Sequence, residues 1–324
     1  MQKIYKLLNL GYYLLRFGSI RMAWFLSKHG FPIERIREVG VTNGQLIVRK
    51  TGQLFSIAQL MHCKESLNLF LTIATHRDIK LDNSKAGEIT IICGNTRISG
   101  DTFDNFYVVQ ELFAEGVYSI HLNTEKIVVC DVGMNVGIAS LYFAGLKNVT
   151  QVYSYEPFPE TYQRALVNFS LNSSLSNKII PHNAGVGGSD ALLEIPMIKG
   201  ESAVMSTSDF FIEQMEIDKS HMVKVGITDI KKIIPEILFQ HPGEALLLKL
   251  DCEGAEYDII YQLNKIGLLP KISVIVIEWH MKGFQSLNDT LVENNFCTTV
   301  FPRPNQVMQD TGMIYAINTR FSTV

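Results

Sequence analysis

The sequence predicts a doubly wound α/β fold, on three observations. After about residue 105, short apolar runs alternate with stretches of helical character. The runs are continuous rather than alternating, which indicates strands that are buried on both faces of a sheet. Charged residues follow several runs directly, and ligands of such folds bind beyond the carboxyl ends of the strands. We therefore expect one edge of a parallel sheet to carry the chemistry.

Composition excludes several classes of protein. Of 324 residues, 47% are apolar and 19% charged, which argues against general disorder. The net charge of -3 argues against a general nucleic-acid binder, so we predict no nucleic-acid partner. The five cysteines are scattered and form no C-x-x-C pair, which is typical of reduced thiols and predicts no zinc site. We expect a cytoplasmic protein.

Residues 1–30 are basic, and the first acidic residue is Glu34. Their longest uncharged run is nine residues, Leu7 to Leu15, whereas a membrane-spanning helix needs about 20. The apolar spacing predicts one amphipathic helix. We prefer the interpretation that it packs on its own domain or on a partner subunit. The alternative is a peripheral contact with the inner membrane face, because basic amphipathic helices bind anionic lipid surfaces.

Residues 31–104 predict a small α+β region. Apolar stretches at 46–48 and 54–57 flank a Thr-Gly turn and indicate a hairpin. A helix is expected over 58–76, and a strand over 88–92.

Five strands are predicted for the remainder of the chain. They are Ile127–Cys130, Val152–Tyr155, Ile179–Ile180, Ala245–Leu248 and Ile272–Ile277.

The first of these strands ends in a glycine turn that contains Asp131, Gly133, Asn135 and Gly137. Such a turn lets the backbone approach a ligand closely. Its G-x-N-x-G spacing differs from the G-x-G-x-x-G of dinucleotide sites, and the preceding carboxylate suits a cationic ligand better than a pyrophosphate. Glu156 follows the second strand, where an acid accepts hydrogen bonds from ribose hydroxyls. Together they predict a nucleoside site.

The last two predicted strands also end in ionisable residues. Lys249 and Asp251 are two positions apart, with an apolar residue between them, so they point to one face of the strand. Glu253 follows two positions later. Glu278 and His280 share a face by the same rule. Because unpaired buried charge is costly, we expect these groups to pair with one another or with a ligand.

In combination, these motifs resemble the FkbM-type family of S-adenosylmethionine-dependent methyltransferases, over roughly residues 105–318. The resemblance implies a class I methyltransferase fold: a doubly wound, Rossmann-like sheet of seven strands whose last strand is antiparallel, preceded here by the small N-terminal α+β extension. It implies a methyltransferase domain at 105–324 that begins with a helix at Glu111–Tyr118. The motifs that carry it are Asp131–Gly137, Tyr155–Pro157, Lys249–Glu256 and Ile277–His280.

The resemblance also implies roles for individual residues. The methionine part of S-adenosylmethionine would be held by the glycine turn, the ribose by Glu156 with Pro157, and the adenine beside Asn183 and Ala184. Between Ala184 and Ala245, the segment that includes Ser202–Ser206 would help to wall the acceptor site. The residues assigned to the cofactor are Asp131, Gly133, Asn135, Gly137, Glu156, Pro157, Asn183 and Ala184.

The predicted reaction is O-methylation of a hydroxyl on a sugar, a glycan or a specialised metabolite. Asp251 and His280 are both candidates for the base, Glu253 would orient them or bind substrate, and Lys249 would keep Asp251 ionised or contact a substrate oxygen. We predict no metal, although carboxylates such as Asp251 and Glu253 can hold a divalent ion. Two alternatives stay open: a nicotinamide-dependent oxidoreductase and a non-catalytic nucleoside-binding scaffold.

Overall fold

The computed structural model describes residues 2–120, 124–196, 222–303 and 310–321. The chain forms two compact units, Met1–Ser119 and Ile120–Val324. The domain boundary expected from the sequence, between residues 104 and 105, lies within the first unit. The Ser202–Ser206 segment, expected to wall an acceptor site, falls outside the described residues.

The first unit begins with two helices, α1 (Gln2–Phe17) and α2 (Ile20–Lys28), where the sequence predicted one. Gly18 separates them with a φ of +64°, a conformation that glycine adopts without steric strain. The side chain of Ser19 then caps α2 by accepting a hydrogen bond from the backbone N–H of Met22. None of the described helices is long and apolar enough to cross a membrane.

Two three-stranded antiparallel sheets follow, and the second and third strands of the first sheet confirm the predicted hairpin. The sheets consist of β1 (Val39–Thr42), β2 (Gln45–Val48) and β3 (Gln53–Phe55), and of β4 (Ile79–Asp82), β5 (Thr90–Cys93) and β6 (Thr96–Ser99). The helices of this region are α3 (Ile57–Leu60), α4 (Leu67–Thr75) and α5 (Phe103–Val109), with short 3-10 turns at Ile33–Glu38 and Met61–Cys63.

Two helix predictions in this region are wrong in extent. The helix expected over 58–76 is broken, because Ser56 and Ser66 each cap a separate helix, α3 and α4. A Ser side chain that accepts a backbone N–H favours the first turn of a new helix over the interior of a long one. The helix expected at Glu111–Tyr118 is instead a π-helical turn, Gln110–Ala114, which continues α5.

The second unit contains ten strands and six α-helices among its described residues. The strands are β7 (Ile127–Val132), β8 (Val149–Tyr155), β9 (Ile179–His182), β10 (Gly185–Gly187), β11 (Ala191–Pro196), β12 (Met222–Asp229), β13 (Ala245–Leu250), β14 (Val274–His280), β15 (Phe296–Pro302) and β16 (Thr311–Asn318). The helices are α6 (Ile138–Gly145), α7 (Pro159–Ser170), α8 (Ser173–Ser176), α9 (Ile230–Gln240), α10 (Glu256–Lys265) and α11 (Gln285–Glu293), with a 3-10 turn at Leu269–Lys271.

Seven of these strands form one sheet in the order β15-β16-β14-β13-β7-β8-β9. All neighbouring strands from β14 to β9 are parallel, whereas β16 runs antiparallel to both β14 and β15. If the seven strands are numbered in chain order and the sheet is read from the β9 edge, their order is 3-2-1-4-5-7-6, and only the seventh strand, β16, runs in the opposite direction. This arrangement confirms the predicted class I methyltransferase fold. Strands β10, β12 and β11 form a separate small sheet.

The central strand β7 is buried along its whole length, and its side chains alternate between two layers. Val128, Cys130 and Val132 belong to an apolar core that includes residues of α9, α10 and α11. Asp131 points to the opposite layer, where the hydroxyl of Ser140 on α6 donates a 2.6 Å hydrogen bond to its carboxylate. The sheet therefore carries one acidic side chain into its buried centre, next to the end of β7.

Candidate active site

Lys249 is the centre of a buried ion network at the carboxyl edge of the sheet. It lies opposite Asp131 in the pairing of β13 with β7, so both side chains leave the sheet on one face. Its Nζ is 3.1 Å from Oδ1 of Asp131 and 3.4 Å from Oδ2 of Asp251, and it donates a 2.6 Å hydrogen bond to the carbonyl of Gly133. Burial lowers the pKa of Lys249, but the charges of Asp131 and Asp251 outweigh that effect and raise it.

The glycine turn, Gly133–Gly137, is shaped by close contacts within the protein. Gly133 has a φ of +78°, and a Cβ at this position would lie 1.7 Å from the carbonyl oxygen of Asp251. Gly137 has a φ of +79°, and its Cβ would lie 2.5 Å from the ring of Phe169. Both positions therefore require glycine for backbone conformation and for space. The assignment of this turn to the cofactor stays a prediction.

Glu156 lies beyond β8 and is only 5% exposed. Its Oε2 accepts a 3.1 Å hydrogen bond from the backbone N–H of Asn135, and its Oε1 accepts a 3.0 Å bond from that of Phe158. Burial raises the pKa of Glu156 to about 7, although both backbone bonds act in the opposite direction. The amide of Asn183 donates to the carbonyls of Glu156 and Pro157, at 2.9 and 3.2 Å. The acid is thus held rigidly against the glycine turn.

The residues next to Asn183 contribute less to this edge. Ala184 is partly buried between β9 and β10. Asp190, the first acid that follows it, forms an exposed ion pair with Lys232 and accepts the backbone N–H of Asp229. The contacts of Asp190 are therefore with residues where β12 meets α9.

The acidic loop, Asp251–Glu256, joins β13 to α10. Glu256 is fully buried, and its carboxylate accepts the backbone N–H groups of Cys252 at 3.1 Å and Gly254 at 2.7 Å. Its Oε1 also lies 2.8 Å from Nδ1 of His280. Glu253, between the two bonded amides, has a φ of +54°, which is rare for a residue with a side chain. One carboxylate therefore fixes both the loop and the histidine ring.

Asp251, Glu253 and His280 form what we call the acid–histidine cluster. Nε2 of His280 lies 3.6 Å from Oε2 of Glu253 and 4.0 Å from Oδ1 of Asp251. Burial lowers the pKa of His280, but the charges of Glu253 and Glu256 raise it well above its usual range. Burial raises the pKa of Glu253 to about 8, against the opposing charge of His280. The structure thus brings all four residues predicted to be catalytic, Lys249, Asp251, Glu253 and His280, to one edge of the sheet.

Sequence reasoning gave no role to two residues that organise this edge. Glu256 belongs to the Lys249–Glu256 motif, but an acid in the first turn of a helix is usually a dipole partner. Ser140 holds Asp131 from α6, nine positions along the chain. The family motif contained the signal for Glu256, whereas no pattern singles out Ser140.

Comparison with known proteins places this chain in a family. A family model described as the methyltransferase FkbM domain matches residues 131–297, which span the whole site from Asp131 to His280. The chain belongs to the FkbM methyltransferase family. Its enzyme class is S-adenosylmethionine-dependent methyltransferase, as predicted, and the nicotinamide-dependent alternative is disfavoured.

Individual relatives are distant. Methyltransferase 1 of Beauveria bassiana is 25% identical over 66% of this chain and 89% of its own length. Methyltransferase sdnD of Sordaria araneosa is 23% identical over 58% of this chain and 80% of its own. The crystal structure of methyltransferase FkbM from Methylobacillus flagellatus is 15% identical, with a TM-score of 0.41 over 62% of this chain. That match covers 46% of the bacterial protein, less than half of its length.

Proposed function

We propose that the enzyme methylates a hydroxyl oxygen, and that the acceptor is a sugar or a glycan. The observation that carries the proposal is the contact between the glycine turn and the acidic loop, where Gly133 packs against the carbonyl of Asp251. A methyl donor at the turn would lie beside the acid–histidine cluster. The methyl group of S-adenosylmethionine is already activated, so the protein has to align an oxygen nucleophile and help it to lose its proton.

Glu156 fits the ribose of the cofactor. Each of its carboxylate oxygens accepts one backbone N–H, and a carboxylate oxygen has two lone pairs, so that each retains one acceptor direction. The two neighbouring hydroxyls of a ribose could therefore each donate a hydrogen bond to one of these oxygens. By contrast, both oxygens of Asp131 face Ser140 or Lys249, and its side chain is fully buried. We infer that Asp131 acts by fixing the turn rather than by touching the cofactor.

The Glu156→Gln variant is expected to bind S-adenosylhomocysteine about 10- to 100-fold more weakly, because hydrogen bonds to a charged acceptor contribute about 1.5 to 3 kcal/mol each. Because the pKa of Glu156 is about 7, the affinity of the unmodified protein for S-adenosylhomocysteine should also depend on pH. Below that pKa the carboxyl becomes protonated and loses acceptor capacity, so the affinity of the unmodified protein should fall between about pH 8 and about pH 6. Isothermal calorimetry measures both effects.

The control is Glu160→Gln, at an exposed position of the first turn of α7, which should leave affinity and its pH dependence unchanged. Equal affinities of the unmodified and Glu156→Gln proteins at both pH values would remove the ribose assignment.

The acid–histidine cluster supports a polyhydroxyl acceptor. Its side chains include two carboxylates, which accept hydrogen bonds from neighbouring hydroxyls. Asp251, with 29% of its side chain exposed, is the most accessible member. Because Lys249 holds one of its oxygens, the other is oriented towards Glu253 and His280. The acceptor hydroxyl would lose its proton in this cluster.

The acceptor class is tested by incubating the enzyme with labelled methyl donor and a panel of sugar nucleotides and glycans, with amines and carboxylic acids as comparison compounds. We expect label in an ether. Asp251→Asn should lower turnover at least about 100-fold, the usual range for loss of proton transfer, and keep affinity for S-adenosylhomocysteine. Asp289→Asn, on the exposed face of α11, is the control. Label in an ester or an amine would overturn the assignment.

We also propose that α1 and α2 contact an anionic membrane surface. Large apolar side chains are exposed there: Leu15 by 91%, Ile20 by 73% and Trp24 by 53%. Lys28 lies 4.6 Å from the Trp24 ring, and no acidic residue precedes Glu34. An apolar strip with basic neighbours suits the boundary between headgroups and acyl chains.

Co-sedimentation with vesicles tests this contact. We expect binding to vesicles of phosphatidylserine and phosphatidylcholine, weaker binding to phosphatidylcholine alone, and loss of binding in the Leu15→Glu, Ile20→Glu double variant. Absence of the unmodified protein from both pellets would favour the other interpretation, in which these helices pack on a partner subunit.

A further inference from the structure

The acid–histidine cluster has the dimensions of a cation site. One ligand atom from each of Asp251, Glu253 and His280 lies within 4.8 Å of the others. Metal–ligand distances of about 2.1 Å place neighbouring ligand atoms about 3.0 to 3.4 Å apart in octahedral or tetrahedral geometry. The observed separations of 3.6 and 4.0 Å from Nε2 of His280 are slightly longer. Small side-chain rotations would bring these atoms to coordinating distance.

The imidazole of His280 is held in the way that is typical of a metal ligand. The residue is 2% exposed, and its Nε2 lies beyond hydrogen-bond distance from both nearby carboxylates. Its Nδ1 lies 2.8 Å from Oε1 of Glu256. A carboxylate that holds one ring nitrogen of a histidine is the usual support of a metal-binding imidazole, because it fixes the tautomer and directs the other nitrogen at the metal.

The carboxylates of Asp251 and Glu253 are likewise held in position by neighbouring groups. Lys249 engages Oδ2 of Asp251, so that Oδ1 is left facing His280. Glu253 keeps its left-handed backbone, at a φ of +54°, because Glu256 binds the N–H groups of the residues on both sides of it. Backbone strain of this kind persists where the surrounding structure over-determines it, and such positions concentrate at functional sites.

The charge balance of this edge also favours a cation. Four carboxyl groups lie together with one ammonium group and one imidazole. Accumulated negative charge at a site of low exposure is stabilised by a bound cation. The groups counted are Asp131, Asp251, Glu253 and Glu256 against Lys249.

We propose that Asp251, Glu253 and His280 bind one divalent cation of the Mn²⁺ and Mg²⁺ class. The two carboxylate oxygens suit Mn²⁺ and Mg²⁺, and Mn²⁺ also accepts an imidazole nitrogen beside carboxylates, as in carboxylate–histidine manganese sites. The sequence predicted no metal because no complete ligand set was visible; His280, which follows Asp251 by twenty-nine positions, completes it in space. Binding of the cation is a property of the folded chain and does not depend on the identity of the methyl acceptor.

The test uses the full chain, treated with a chelator and then titrated with Mn²⁺, with free Mn²⁺ measured by electron paramagnetic resonance. We expect one site per chain, from which Mg²⁺ competes. Asp251→Asn, Glu253→Gln and His280→Gln should each weaken Mn²⁺ binding at least about tenfold, since even supporting residues of metal sites contribute about 10- to 100-fold. Asp289→Asn removes a surface charge of the same kind and should bind as the unmodified chain does.

Two outcomes overturn the proposal: no Mn²⁺ bound by the unmodified chain, or equal Mn²⁺ affinity in the unmodified chain and in Glu253→Gln. Binding of S-adenosylhomocysteine in the presence of chelator checks that each variant is folded. Because Glu253 is partly exposed, its variant keeps the test decisive if His280→Gln does not fold. Methyl transfer measured separately distinguishes failure of the cation site from failure of the proposed reaction.

Discussion

Replacing Lys249 with methionine is expected to destabilise the second unit by about 3 to 5 kcal/mol, the usual effect of removing one partner of a buried ion pair. The loss arises mainly from the group left behind. Asp131 is fully buried and would keep its hydrogen bond from Ser140 but lose its only cationic partner among the described residues. The carbonyl of Gly133 would also lose its 2.6 Å donor.

Urea denaturation measures this effect, and tryptophan fluorescence can follow the second unit alone. The chain has two tryptophans, Trp24 in the first unit and Trp279 in the second. In a Trp24→Phe background, Trp279, which is 1% exposed, reports the unfolding of the sheet. Lys224→Met is the matched control, because Lys224 is 69% exposed and pairs with Glu194 at 3.4 Å. Its effect should stay within about 0.5 kcal/mol.

A double variant separates the role of charge from that of packing. Asp131→Asn combined with Lys249→Met leaves no uncompensated carboxylate at this position. The two changes should therefore be less harmful together than the sum of their separate effects, by at least about 1 kcal/mol. Strict additivity would mean that the ion pair is not what makes Lys249 necessary, and would contradict the argument from its contacts.

The periodicity of the sequence was sufficient to predict the parallel strands of the sheet and one of the pairings in the site, whereas the count of seven strands and the antiparallel last strand came from the family resemblance. The continuous apolar runs gave β7, β8, β13 and β14 because these strands are buried on both faces and few polar residues interrupt them. The alternation of Lys249 and Asp251 predicted their shared face, and the structure has their charged atoms 3.4 Å apart.

The partners of these groups could not be predicted from periodicity because they come from other elements. Asp131 faces Lys249 only because β7 and β13 are neighbours in that register. His280 reaches Glu256 because β14 lies next to β13, which delivers the loop that leads into α10. The boundaries of the short helices were missed for a more local reason, since single serine caps divide them.

Gly133→Ala is expected to lower turnover at least about 100-fold, because a displacement of about 1 Å near the reacting groups has effects of that size. The new Cβ would lie 1.7 Å from the carbonyl oxygen of Asp251, so the acidic loop has to move. A φ of +78° adds roughly 1 to 2 kcal/mol of strain for a residue with a Cβ. Labelled methyl transfer and urea denaturation measure the two effects.

Two other glycines give this prediction its controls. Gly145, at the end of α6, has no positive φ, and a Cβ added there would meet no atom within 4 Å, so Gly145→Ala should leave turnover unchanged. Gly137→Ala would meet the ring of Phe169 at 2.5 Å, and Phe169→Leu should restore part of its activity, because that neighbour is a side chain. No single side-chain substitution can relieve the clash in Gly133→Ala, because the atom that its Cβ would meet is the backbone carbonyl oxygen of Asp251. Normal turnover in Gly133→Ala would show that the turn and the acidic loop are not mechanically linked.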